Sequence, residues 1–126
     1  MDVPISDALT EQIIGCAFEV HKILGSGFLE KVYENALVEE LKSRGLKTES
    51  QKPITVSYKD KIVGEYCADI IVEESVVLEL KAQEKINDIH ELQLKNYLKA
   101  TGVQLGLLIN FGKSVEIKRK YVKSVI

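Results

Sequence analysis

The sequence predicts an α/β (α+β) fold in the order ααβββαββ, a central mixed β-sheet flanked by helices. Three observations predict it. Apolar residues recur at helical spacing through the first 44 residues and again from about residue 88 to residue 100. Between them the period becomes that of extended chain, ending in two strand-like runs, IVGEYCADIIV and VVLELKA, joined by EES. QLGLLINF (104 to 111) is almost wholly apolar, as expected of a strand covered on both faces.

Each element has its own punctuation. Ser6 or Asp7 caps a first helix running to Leu24, with Leu9, Ile13, Ala17 and Val20 as its stripe. Gly25 stops it, and GSG (25 to 27) turns the chain. A second helix runs from about Phe28 to Arg44, with Val32, Tyr33, Ala36, Leu37 and Leu41 as its apolar stripe and Gly45 at its C′ position. LKTESQKPITVSY follows as a strand that Pro53 assigns to an edge or a bulge, and KDK (59 to 61) turns into the hairpin strands. Asn87 or Asp88 caps a third helix that Gly102 ends. VEIKRKYV alternates as a last, half-exposed strand. With no repeat, linker or low-complexity tract, residues 1–126 are expected to form one domain.

Composition narrows the class. The chain is 45% hydrophobic and 29% charged, ordinary for a globular protein. No apolar run approaches the ~20 residues that span a bilayer, and the N-terminus lacks a basic segment followed by an apolar one. A cytoplasmic protein without membrane partners is expected. The two cysteines, Cys16 and Cys67, lack CxxC spacing, which argues against structural zinc and leaves a disulfide between them open. The net charge of −2 is wrong for a protein that grips nucleic acid by charge alone. Yet KSVEIKRKYVK (113 to 123) sets Lys113, Lys118, Arg119, Lys120 and Lys123 against Glu116 alone. That stretch is either an edge strand defended by lysines or a strip that contacts phosphates.

The most strand-like segment, CADIIVEESVVLELKAQ (67 to 83), carries three charges: Asp69, Glu79 and Lys81. If EES is a three-residue loop, Val72 pairs with Val76. Asp69 then stands opposite Glu79, and Cys67 opposite Lys81, with directly facing Cβ atoms roughly 4.5–5.5 Å apart. A two-residue loop would put the two acids on opposite faces. Two facing carboxylates repel. A hard divalent cation would offset that, and so would Lys81 in an ion triad or a solvated face.

Asp69, Glu79 and Lys81 together resemble the motif of the PD-(D/E)XK nuclease superfamily. QLKNY (93 to 97) looks like the QxxxY motif of its RecB-like branch, and GFLEKVY (27 to 33) matches the pattern that names the small prokaryotic GxxExxY family. EVHKILGSGFLEKVYENAL, LELKAQEKINDIHELQLKNYL and GLLINFG extend the likeness from about residue 10 to residue 112. Ala68 stands where the superfamily has proline.

The resemblance implies a restriction-endonuclease-like domain that binds DNA or RNA and hydrolyses phosphodiester bonds with Mg²⁺ or Mn²⁺. It implies that Asp69 and Glu79 hold the ion, with the Leu80 carbonyl and Glu30 as further oxygens, and that Lys81 handles the attacking water and the developing charge. Gln93 and Tyr97, one turn apart, would line the site, with His90 on the same helix face. Glu30 and Glu34 are also one turn apart, and Glu30 is equally a helix N-terminal acid favoured by the macrodipole. His21, near Glu19 at the end of the first helix, reads as a polar partner rather than a ligand. Lys113, Lys118, Arg119 and Lys120 would contact nucleic acid.

Two competing readings accompany this one. The acidic net charge fits an inactive nuclease fold that binds nucleic acid or a protein partner. The exposed last strand fits a structural homo-oligomer, such as a homodimer, or a hydrolase of another class.

Overall fold

The computed structural model describes residues 5–123. Helices α1 (Ile5–Leu24) and α2 (Glu30–Ser43) precede strands β1 (Thr48–Tyr58), β2 (Lys61–Val72) and β3 (Val76–Lys81). Helix α3 (Asp88–Thr101) and strands β4 (Leu105–Phe111) and β5 (Val115–Tyr121) follow. The sheet order is β1-β2-β3-β4-β5, with β3 and β4 parallel and every other pair antiparallel. This is the expected ααβββαββ sheet, flanked by helices on both faces.

The two faces have separate cores. On one, Ile13, Ala17, Tyr33, Leu37 and Leu41 of α1 and α2 pack on Ile70, Leu78, Leu80, Leu107 and Ile109. On the other, Leu94 and Leu98 of α3 pack on Ile54, Ala68, Ile71, Val77 and Leu108. Helices on both sides explain the almost wholly apolar β4, all of whose residues are buried. Pro53 sits on the edge strand β1, where its missing N–H costs no ladder bond on the outer side.

Most boundaries follow their local signals. Asn87 caps α3, its side chain accepting from the Ile89 N–H at 3.0 Å. Gly102 ends that helix in the left-handed region at φ 79°. Two boundaries differ from expectation. Helix α1 already contains Ser6 and Asp7, and the Ser6 side chain lies outside what is described. Helix α2 starts at Glu30, leaving Phe28 and Leu29 exposed in the turn. Tyr33 accounts for that start. Its hydroxyl donates to the Gly25 carbonyl at 2.6 Å and accepts from the Phe28 N–H at 3.3 Å. Its ring is wholly buried and stacks on Phe111, with centroids 4.6 Å apart. The turn is therefore stitched to the sheet, and Gly27, at φ 102°, supplies a conformation that other residues rarely adopt.

The connection after β3 is held equally tightly. Asn110, 1% exposed, bonds both backbone groups of Gln83: Oδ1 accepts from the N–H at 2.9 Å and Nδ2 donates to the carbonyl at 2.9 Å. Gly112 lies against the same carbonyl. A Cβ placed there would stand 2.8 Å from the Gln83 oxygen. Gly112→Ala should therefore cost about 1–3 kcal/mol in chemical denaturation, because a backbone group must shift. Unchanged stability would contradict this close approach.

Candidate active site at the strand fork

Strands β2 and β3 pair at Val72↔Val76, Ile71↔Val77 and Ile70↔Leu78, and then part. EES is thus the three-residue loop that the register argument required, with Glu73 and Glu74 at positive φ. Beyond the last pair, β2 continues with β1 alone, while β3 continues with β4 to Lys81↔Asn110. Asp69 and Glu79 are the first residues past the last pair, at the mouth of a fork. The expected pairing of Cys67 with Lys81 is not made, because the ladder has ended. Cys67 pairs with Pro53 of β1 instead. Neither cysteine is bridged: Cys16 is buried and Cys67 exposed.

Side chains replace the ladder across the fork. The Leu80 N–H donates to Asp69 Oδ2 at 2.8 Å. The Asp69 backbone N–H also favours the charged form of the Glu79 carboxyl. Alternation also breaks here. Ala68 and Ile71 both pack on the α3 side, while Ile70 packs on the α1–α2 side. Asp69 occupies the break.

The two acids share an unusual electrostatic position. Burial, and then the Asp69 charge, push the Glu79 carboxyl up to about 8, with Lys81 opposing. Burial also raises Asp69, against the Leu80 hydrogen bond, and the charges of Glu34 and Glu30 add to the rise. Glu79 Oε1 is buried with no hydrogen-bond partner. An unpartnered buried acceptor beside a second carboxylate, with a lysine two residues on, suits a hard cation. Among the described residues, no three His, Cys, Asp or Glu side chains form a ready metal cluster. Two carboxylates still fit Mg²⁺, which typically keeps several waters and takes only one or two protein carboxylates.

The other predicted residues divide. Tyr97 reaches the site: burial first, and then the Glu79 and Asp69 charges, raise its phenol. Gln93 lies one turn earlier on α3 and is exposed. His90 is half-buried, with Nδ1 unpartnered. Glu30 is exposed at the start of α2, its charge felt by both acids. Glu34 is buried. His21 is a structural partner, its Nε2–H donating to the Gly112 carbonyl at 2.8 Å.

The basic residues do not form one strip, because β5 alternates. Arg119 pairs with Asp7 of α1 at 3.3 Å, while Lys120 pairs with Glu91 of α3. Lys113 is exposed in the β4–β5 turn. Lys118 shares a row with Glu79, through Leu108.

Sequence reasoning missed Tyr66. Its ring stacks on Tyr97, with centroids 3.5 Å apart and planes 22° apart. Burial first, and then Glu79, raise its phenol, and its hydroxyl is buried without a partner. Strict alternation puts Tyr66 on the face opposite Asp69. Only the break at Asp69 brings it to the site, and no sequence signal marks that break.

With this geometry in place, the comparisons agree on class. Residues 7–121 match the family model of the PD-(D/E)XK nuclease superfamily, and the chain belongs to that superfamily. The crystal structure of SSO0001 has the same fold, with a TM-score of 0.59 at 19% identity. The match covers 95% of this chain and 60% of that one, so the chain spans only about 60% of that protein's length. No curated protein matches the sequence. No described helix is long and apolar enough to cross a membrane.

The raised Glu79 carboxyl gives a signed prediction. The folded state holds the Glu79 proton more tightly than the unfolded chain does, so metal-free stability falls as pH rises from about 4.5 towards 8. With chelator present, Glu79→Gln should melt like wild type at pH 4 and be more stable by a few kcal/mol at pH 9. An equal difference at both pH values would contradict the buried, repelled carboxylate.

Proposed function

We propose that the fork is the catalytic centre of a metal-dependent nuclease that hydrolyses phosphodiester bonds in DNA or RNA. The observation that carries this reading is the meeting of Asp69 and Glu79 where the ladder parts, with Glu79 Oε1 left unpartnered beside Lys81. Asp69 and Glu79 would hold Mg²⁺ or Mn²⁺, with the Leu80 carbonyl and Glu30 supplying or supporting further coordination. The ion would lower the pKa of a bound water and neutralise phosphate charge.

The remaining roles belong to the chain itself. Lys81 orients the attacking water and stabilises charge developing on the phosphate. Tyr97, held by Tyr66, and Gln93 border the substrate side. Lys118, two strands from Glu79 in one row and so roughly 10 Å away, is the basic residue best placed for a flanking phosphate. Within the superfamily, the GFLEKVY and QLKNY stretches support membership of the GxxExxY family and the RecB-like branch, as a single domain acting in the cytoplasm.

Cleavage of single- and double-stranded DNA and RNA, with Mg²⁺ or Mn²⁺ and with chelator, tests the reading. At least one substrate should be cut only with the cation, and Asp69→Asn and Glu79→Gln should abolish cutting. Lys81→Ala should slow it about 10²- to 10³-fold while leaving Mn²⁺ binding intact. Full cleavage by Lys81→Ala at saturating Mn²⁺, with a large drop in Tm, would make Lys81 a structural counter-ion.

A second reading, an inactive fold that binds nucleic acid or a protein partner, is favoured by the acidic net charge of −2. Nucleic acid bound but never cut would select it.

A further inference from the structure

We propose that Gln51 is a positioning residue for the carboxylate site, acting through the buried carboxylate of Glu34. The proposal rests on the fork as a cation site and adds a residue outside the motif. Among the described residues, Gln51 is the one non-glycine residue at positive φ inside a strand, at 53° in β1. The other non-glycine residues at positive φ, Lys59, Asp60, Glu73 and Glu74, lie in turns. Such a conformation costs free energy and persists only where its surroundings impose it.

Its position is specific. Ser50 pairs with Ile70 and Lys52 with Ala68, so Gln51 lies level with Asp69 at the fork. There its side chain meets α2. Nε2 donates to both oxygens of Glu34, at 3.1 and 3.0 Å. Glu34 is 6% exposed, and Lys31 Nζ adds a further bond to Oε2 at 3.0 Å. A carboxylate buried beside another acid would turn to solvent unless donors held it. The Gln51 amide is a neutral donor, so it fixes Glu34 in place without cancelling its charge.

Glu34 is thereby an acid of α2 held against the strand residue that lies level with Asp69. Glu30, one turn earlier, is exposed, whereas Glu34 is buried and tied to β1. Cation affinity rises with the negative charge gathered at a site, and groups that orient the ligands' surroundings commonly set affinity by 10- to 100-fold. A purely structural tie between α2 and β1 would require no such dependence.

The test is a double-mutant cycle read by Mn²⁺ calorimetry and metal-free Tm, using wild type, Gln51→Gly, Glu34→Gln and the double variant. Glycine accepts the φ freely, so Gln51→Gly should melt close to wild type when metal-free yet bind Mn²⁺ about tenfold or more weakly. Glu34→Gln should lose a similar factor. The double variant should bind no more weakly than Glu34→Gln alone, because both changes remove one contribution. Gln51→Asn tolerates the same φ but is one methylene short of Glu34, and it should repeat the loss if the glycine variant folds poorly. Wild-type Mn²⁺ affinity in the Gln51 variants, or additive losses in the double variant, overturns the proposal. Absence of Mn²⁺ binding by wild type overturns this proposal together with the cation site, whereas wild-type binding with unaffected variants overturns this proposal alone.

Discussion

The parting of β2 from β3 is the constraint on which the site depends. A buried N–H that loses its ladder partner must find another, and here the partner of the Leu80 N–H is the Asp69 carboxylate, through Oδ2. The fork and the acids therefore define each other. Without Asp69, the Leu80 donor would be orphaned. Without the fork, the acids would face each other across a regular ladder with no room between them. The same arrangement leaves Glu79 Oε1 without a partner and burdens Glu79 with the Asp69 charge. That burden is what a bound cation would relieve.

The rest of the fold holds this arrangement still. Two helices bury one face of the sheet and one helix the other, so β3 and β4 carry the site on strands that are covered on both sides. Tyr33 and Gly27 stitch the turn that launches α2, and α2 delivers Glu30 and Glu34 to the fork. Two of the three residues in the Gly-Glu-Tyr pattern thus have a structural explanation. Only Glu30 points to chemistry, and its buried neighbour Glu34 is the more firmly held. Asn110 and Gly112 fix the chain leaving β3 just after Lys81, which limits how far that side of the site can open.

Much of this was legible in the sequence, because each element carries a strong local signal. The apolar stripes, the Gly25, Gly45 and Gly102 stops and the Asn87 cap placed the helices, and Val72↔Val76 pairing followed from one assumption about loop length. What stayed hidden depends on long-range geometry. Alternation fails at Asp69, so Tyr66 arrives at the site from a position that parity assigns elsewhere. Lys118, Arg119 and Lys120 look like one basic strip in sequence. The strand divides them between two faces, and acids on α1 and α3 take two of the three. The Gln51–Glu34 bond joins residues 17 apart through a strained φ that nothing in the sequence announces.

The central claim is that Asp69 and Glu79 share a divalent cation in the fork. Crystals equilibrated with Mn²⁺ and measured at a wavelength sensitive to manganese test it most directly. The account predicts an anomalous peak between the two carboxylates, with Glu79 Oε1 turned towards it, and no such peak in Asp69→Asn crystals. A wild-type fork without a peak at saturating Mn²⁺, or a peak confined to other acids, would contradict it.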